Sequence, residues 1–459
     1  MNHEINPGKS ARQIFDVALR SVDARRSVRN AVRLEGPRLI IHDTIINLDK
    51  PQSIYALAIG KAALPMAAGL DDVLKEKLTE GLVVGLDSQI SDTSLSQSQQ
   101  TLQTVWRLQQ GGHPLPTRAS LNAARSAFDL LYRANKERAL VIFLISGGGS
   151  SMIEWPRHEN ITLEDLRDAN RLLVSCGASI TEINSVRRSF SAVKGGGLAA
   201  FAPRSFQVTL IVSDTPKGQE SIVASGPTCD PPLDAPSAVG VIERYGLSAT
   251  VPATILRAVR GTRDQGLKES DGELRKAYVI LDCETALEAA KEEAHQRGFT
   301  VEVAIDISDQ PIADGCQLML SRLFELRSRV GISNRVVCLI SGGEFSCPVR
   351  GNGIGGRNAE TALRCSIELD EKRRLNKEGI DMPRVAVLSA GTDGIDGNST
   401  AAGAVADEWT VERAGRLGMN ALEFLGRSDG FNFFDALGDT IVSGPTGTNV
   451  RDLRITLAS

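Results

Sequence analysis

Short apolar runs recur along the chain, and most end in glycine, serine or an acidic residue. They include IYALAI (54–59), GLVVGL (81–86), TVWRLQQ (104–110), VIFLIS (141–146), FQVTLIV (206–212), KAYVILD (276–282), FTVEVAID (299–306), VVCLI (336–340) and VAVL (385–388). Runs of this length without strict alternation predict strands covered on both faces. Between them, apolar positions recur at helical spacing. Ser10 to about Leu34 predicts one helix, with Ile14, Phe15, Val17, Ala18, Val22 and Val28 on its apolar face. Thr162 and Asp165 form a capping box that opens a helix to about Cys176. Further helices are expected from Thr181, from Asp314 to Val330 and from Ala359 to about Arg374. Strands alternating with helices predict an α/β fold with mainly parallel sheets flanked by helices.

The loops that follow the strands carry the candidate chemistry. VIFLISGGGSS (141–151) aligns with VVCLISGGEFS (336–346), which suggests two related α/β halves facing one phosphate-rich ligand. Ser146, Gly147, Gly148, Gly149 and Ser150 fit a phosphate nest, and Ser341, Gly342, Gly343 and Glu344 repeat the device. Lys61 follows a strand's carboxyl end, where ligands bind in open sheets. Gly355, Gly356, Arg357 and Asn358 open a helix, whose unpaired N–H groups favour an anion. Asn184, Arg187 and Ser191 share a helix face, and Lys194 follows before a glycine triplet. Asp214, Asp393 and Asp396 end strands or lie in the turns after them, as oxygen ligands for Mg²⁺ or as a general base. Asn449 closes the tight loop 444–449. His113, before Pro114, reads as a turn residue that is also within reach of a ligand loop.

Composition narrows the classes. The 459 residues suffice for two or three cores, and a proline-rich stretch (229–237) sets the expected boundary between domains 1–237 and 238–459. A net charge of −4 with interspersed signs gives no nucleic-acid or anionic-membrane surface. Seven cysteines without a C-x-x-C pair point to reduced thiols and a cytoplasmic setting. The first twenty residues have no apolar signal core, and no run reaches the roughly 18 apolar residues of a membrane span. The Ser/Gln tract 87–104 reads as a surface loop.

With these pieces assembled, the chain resembles the class II glycerate 2-kinases, whose C-terminal domain is of the MOFRL type. The motifs are SGGGSSM (146–152), EINSVRRSFSAVKGG (182–196), ASGPT (224–228), SGGE (341–344), GIGGRNAE (353–360), AGTDGIDG (390–397) and GPTGTNVRDLR (444–454), spread from about Ser10 to Leu457. The resemblance implies a Rossmann-like N-terminal domain, a MOFRL-type C-terminal α/β domain and an active site in the cleft between them. It implies transfer of the ATP γ-phosphate to the 2-hydroxyl of D-glycerate with Mg²⁺, and it places the family's active-site lysine and arginine on Lys61 and Arg357. Asp393 or Asp214 then holds Mg²⁺ or accepts the hydroxyl proton, and Arg187 or Lys194 binds the glycerate carboxylate. Small hydroxy acid and nucleotide are the expected partners, with a homodimer left open. The chain departs from the family pattern at Thr117, Gly197, Lys217-Gly218-Gln219 and Thr400, which bears on metal number and on the identity of the acceptor.

Two other readings compete. Gly351, Gly353 and Gly356 spell the dinucleotide fingerprint, which suits a nicotinamide-dependent hydroxypyruvate reductase. Strand–SGG loops also suit a sensor that binds a sugar phosphate without turnover.

Overall fold

The computed structural model describes residues 6–49, 52–86, 102–103, 105–232, 234–261, 274–331, 336–375 and 383–459. The Ser/Gln tract lies almost wholly outside them. The chain forms two compact units, one of residues Ala24–Leu281 and one that joins the segment ending at Asp23 to Asp282–Ser459.

The Ala24–Leu281 unit opens with a meander of β1 (Val32–Glu35), β2 (Arg38–Ile41) and β3 (Thr44–Asn47). Its main sheet contains β4 (Ile54–Ile59), β5 (Glu80–Gly85), β6 (Trp106–Gln110), β7 (Leu140–Ser146), β8 (Phe206–Val212) and β9 (Arg275–Leu281). The order is β6-β5-β4-β7-β8-β9, and every pair is parallel. The central strands β4 and β7 are buried at every position, as their unbroken apolar runs require. Leu57, Phe143 and Ile145 pack there against Ala127, Leu130 and Leu131 of the helix Arg118–Glu137. Each such side chain contributes about 2 kcal/mol by leaving water.

The other unit contains β10 (Thr300–Val303), β11 (Val337–Gly342), β12 (Val385–Gly391), β13 (Gly403–Asp407), β14 (Thr440–Ile441) and β15 (Asp452–Ala458). The order is β10-β11-β15-β12-β13-β14. Four of these six strands point the same way, and β13 and β15 oppose them. β15 therefore runs antiparallel between β11 and β12, setting Arg454 opposite both Ser341 and Ser389, and Asp452 opposite Gly391.

Two expectations about organisation change. The single helix expected over 10–34 is two, Pro7–Ser21 and Ala24–Ala31, followed directly by β1. The break falls where the chain passes between units. In the first helix Arg12 donates to the carbonyls of Asp439 and Thr440, both 3.1 Å away. The boundary expected after Ser237 lies inside the Ala24–Leu281 unit. Helices 238–244 and 253–261 share a core with Val186 and Phe190, and β9 completes the sheet. The proline-rich stretch is thus a surface connection within one unit. No helix of the described residues is long and apolar enough to cross a membrane.

Candidate functional site

In the Ala24–Leu281 unit three adjacent strands, β4, β7 and β8, end side by side, so Lys61, the Ser146–Ser151 loop and Asp214 meet at one edge of the sheet. Parallel strands guarantee this, since all their carboxyl ends share an edge. Ser146 is the tie: its hydroxyl accepts from the Ala62 N–H at 2.9 Å and donates to Ile59 O at 3.2 Å. The Lys61 N–H bonds to Gly147 O at 2.8 Å. The lysine stem then runs past Gly148, whose φ of +79° suits glycine and whose added Cβ would lie 3.1 Å from Lys61 Cγ. The Asp214 carboxylate packs on Gly147. Exposed His113 brings Nδ1 to 3.3 Å from Ser151 Oγ.

A second layer supports this loop. Ser150 Oγ meets Ser225 Oγ at 2.8 Å, and Ser225 Oγ donates to Asn184 Oδ1 at 2.8 Å. The Gly195 and Gly196 N–H groups hold Ser225 O and Gly226 O at 3.1 and 2.7 Å. Ala224 and Ser225 are non-glycines at φ +53° and +64°. Such backbone costs about 1–3 kcal/mol per residue and clusters where ligands bind. Lys194 is not at a surface: its ammonium pairs with Glu154 and donates to Ser150 O at 2.9 Å, with both side chains 1% exposed. Burial pushes the Lys194 pKa down while Glu154 opposes that shift.

In the other unit Arg357 begins the helix Arg357–Leu375. Its Nε donates to Asp452, and its Nη2 lies 3.0 Å from Glu344. Burial works against the guanidinium charge, but Asp452 and Glu344 outweigh it and raise the pKa above the ordinary value. Asp393, half-buried, accepts the Ile395 N–H at 3.2 Å and shares with Asp452 the neighbourhood of Gly391. Ser341 accepts from Arg454 Nε at 3.0 Å. The fully buried Arg454 also donates to Gly342 O, Gly343 O and Ile307 O and stacks on Phe345 at 3.8 Å. Desolvation lowers its pKa to about 10. Asn449 Oδ1 accepts the Arg451 N–H at 3.2 Å, where Arg451 has φ +77° and pairs with Asp309.

The anion expected at the opening of the Arg357 helix belongs to the protein. Asp396 accepts the N–H groups of Asn358 and Ala359 at 3.0 and 2.8 Å, and Gly356 lacks the Cβ that would collide with it. Burial lifts the Asp396 pKa to about 6 against the lowering effect of those donors. Asp396, expected from sequence as a metal ligand, is here buried with both oxygens accepting N–H groups of the helix start. Asn358 is likewise 2% exposed, accepting from Ser389 Oγ at 2.6 Å, so it is a tether beneath the site. Gly355 donates to Asn398 Oδ1 at 2.8 Å, and the 351–356 loop lies on Arg427–Gly430.

Among the described residues no group of three or more His, Cys, Asp or Glu is arranged to hold a metal ion. A hydrated Mg²⁺ held beside phosphates needs only one or two protein carboxylates, and Asp393 and Asp214 each lie just past a strand's carboxyl end. Glu154, Asp452, Arg454 and Asp309 were not singled out from sequence. Asp452 and Arg454 sit within GPTGTNVRDLR, and Glu154 lies two residues past SGGGSSM, so motif membership was the available signal.

Comparison with known proteins agrees in extent. The model of the domain of unknown function DUF4147 matches residues 10–260, and that of the MOFRL family matches 337–452. A Thermotoga maritima protein named D-glycerate 2-kinase is 32% identical over 437 residues, covering 94% of this chain and 96% of the relative. An Agrobacterium vitis relative named putative hydroxypyruvate reductase is 31% identical over 99% of this chain and 95% of its own length. The crystal structure of glycerate kinase from Thermotoga maritima superposes with TM-score 0.78 at 30% identity, covering 98% of this chain and 99% of that one. With both family models in this order and full-length relatives of that name and fold, the chain belongs to the class II glycerate 2-kinase family.

Proposed function

We propose that this protein transfers the γ-phosphate of ATP to the 2-hydroxyl of D-glycerate, giving 2-phosphoglycerate and ADP. The observation that carries the reading is Lys61, fixed through its own N–H and that of Ala62 to the Ser146–Ser151 loop at the carboxyl edge of the parallel sheet. Phosphoryl transfer is catalysed mainly by positioning and by charge placed against the equatorial oxygens. Lys61 supplies one such charge. Arg357 supplies the other, with Nε and Nη2 held by Asp452 and Glu344 so that the guanidinium is already oriented. The glycine N–H groups of the Ser146–Ser151 loop take further phosphate oxygens, whereas those of Gly343 and Glu344 are already given to Asp452 O and Asp309. Asp214 or Asp393 receives the hydroxyl proton. Asp393 or Asp214 would hold Mg²⁺, which would supply further positive charge against the phosphates. Free thiols at all seven cysteines agree with a cytoplasmic setting.

The nicotinamide reading loses its structural support. A dinucleotide fingerprint needs a strand, a tight turn and an open helix N-terminus. Here β11 ends at Gly342, well before the helix at Arg357, and Asp396 fills the helix opening. ATP consumption should be measured over glycerate, tartronate, erythronate and threonate, with the phosphorylated position read by ³¹P NMR. Phosphorylation at the 2-position of D-glycerate is expected. NADH oxidation by hydroxypyruvate without ATP turnover would overturn the proposal, and a preference for another acid would revise the acceptor alone.

A further inference from the structure

We propose that Arg187 is the receptor for the acceptor's carboxylate, and that the Lys194–Glu154 pair beside it is internal scaffolding. This rests on the kinase reading and decides between two residues that the sequence leaves equivalent.

Helix Ile180–Phe190 carries Asn184 and Arg187 one turn apart. Asn184 is committed to Ser225, which reaches Ser150 in the Ser146–Ser151 loop. Glu154, the acid whose charge acts on Arg187, is already used: Oε2 takes the Lys194 ammonium, and Oε1 takes the Ser191 hydroxyl and the Trp155 N–H. Lys194 also has Ser150 O. Two cations thus face one carboxylate, and Lys194 satisfies it. Arg187 Nε is buried with no acceptor among the described residues, and desolvation lowers the pKa of this guanidinium. A desolvated guanidinium whose nearest carboxylate is already satisfied destabilises the fold, a cost an arriving anion removes. A guanidinium matches a carboxylate with two parallel N–H bonds. Ser150 and Ser225, tied to Asn184 of the same helix, add hydroxyl groups to this neighbourhood, suited to a small acid that carries hydroxyls of its own. The site shares the loop to which Lys61 is tied.

Full-length wild type, Arg187→Met, Arg187→Lys and Lys194→Met are compared by steady-state kinetics and by melting with and without D-glycerate. Arg187→Met should raise the glycerate KM about 100-fold, the range expected when one partner of a buried charge pair is lost, and leave the ATP KM within about twofold. Arg187→Lys should recover part of that loss. Without ligand, Arg187→Met should melt at or above wild type because it removes an unpaired charge, whereas Lys194→Met should melt lower because it strands Glu154. An unchanged glycerate KM in Arg187→Met, or a ligand-free melting temperature below that of Lys194→Met, overturns the inference while leaving the kinase intact. Should wild type turn over no hydroxy acid, the kinase reading fails, and the melting shift with D-glycerate decides alone. A shift lost in Arg187→Met supports the receptor; one absent from wild type or equal in both proteins overturns it.

Discussion

The two aligned segments, SGGGSS after β7 and SGGEFS after β11, begin alike and are held in opposite ways. Beside β7 lies parallel β4, whose own carboxyl end brings Gly60 and Lys61 to the loop, and a serine hydroxyl suffices to tie them. Beside β11 lies antiparallel β15, which brings its first residues instead, and the fully buried Arg454 grips the loop through its carbonyls. The likeness is therefore local, a strand and a glycine turn, and does not extend to sheet topology. Strand direction decides which chemistry is delivered: a neighbouring loop with a lysine in one unit, the start of a strand with Asp452 and Arg454 in the other.

The comparison breaks most visibly in catalysis. Lys61→Ala and Arg357→Ala should each lower kcat/KM for phosphoryl transfer by about 10³-fold, the scale of losing one preorganised cation. If only one matters, the two loops do not serve one reaction. Stability is next. Arg454→Met should cost about 3–5 kcal/mol in urea unfolding, because it leaves several buried carbonyls without donors. A smaller effect concerns Asp396. Its folded pKa of about 6 lies above the ordinary carboxylate value, so its contribution to stability is full below about pH 4 and lost as pH rises through 6. Asp396→Asn should therefore gain up to about 3 kcal/mol relative to wild type between pH 4 and pH 7. Smallest is Ser146→Ala, which removes one acceptor and one donor under the parallel loop and should cost about 1–2 kcal/mol. A larger loss than for Arg454→Met would reverse the contrast between serine and arginine support.

The buried strands were legible because burial on both faces writes itself as a continuous apolar run; β4, β7, β8, β11 and β12 all fall on such runs. The Thr162 capping box opens its helix as read. The meander at 32–47 was hidden because Val28 and Val32 keep a helical rhythm that ends only where tertiary contacts begin. Lys61 and Arg357 were legible as cations beside glycine turns. Asp396 was not, since an Asp in a glycine turn reads the same whether it faces a metal or caps a helix 37 residues away in sequence from its Ala359 donor. The Lys194–Glu154 pair joins residues 40 apart, which no spacing rule exposes.

The place of β15 also sets an order of assembly on the ribosome. The six strands of the parallel sheet are complete once residue 281 has emerged, whereas β11 and β12 keep an open backbone edge toward each other until residue 458 is synthesised. Helix Pro7–Ser21, made first, has to wait for that same late unit. Nascent chains of this protein thus carry unpaired edges through about a quarter of translation, from residue 342 to residue 458, the kind of surface chaperones cover. A premature stop near codon 445 should leave a protease-resistant fragment spanning 24–281, with the remainder degraded.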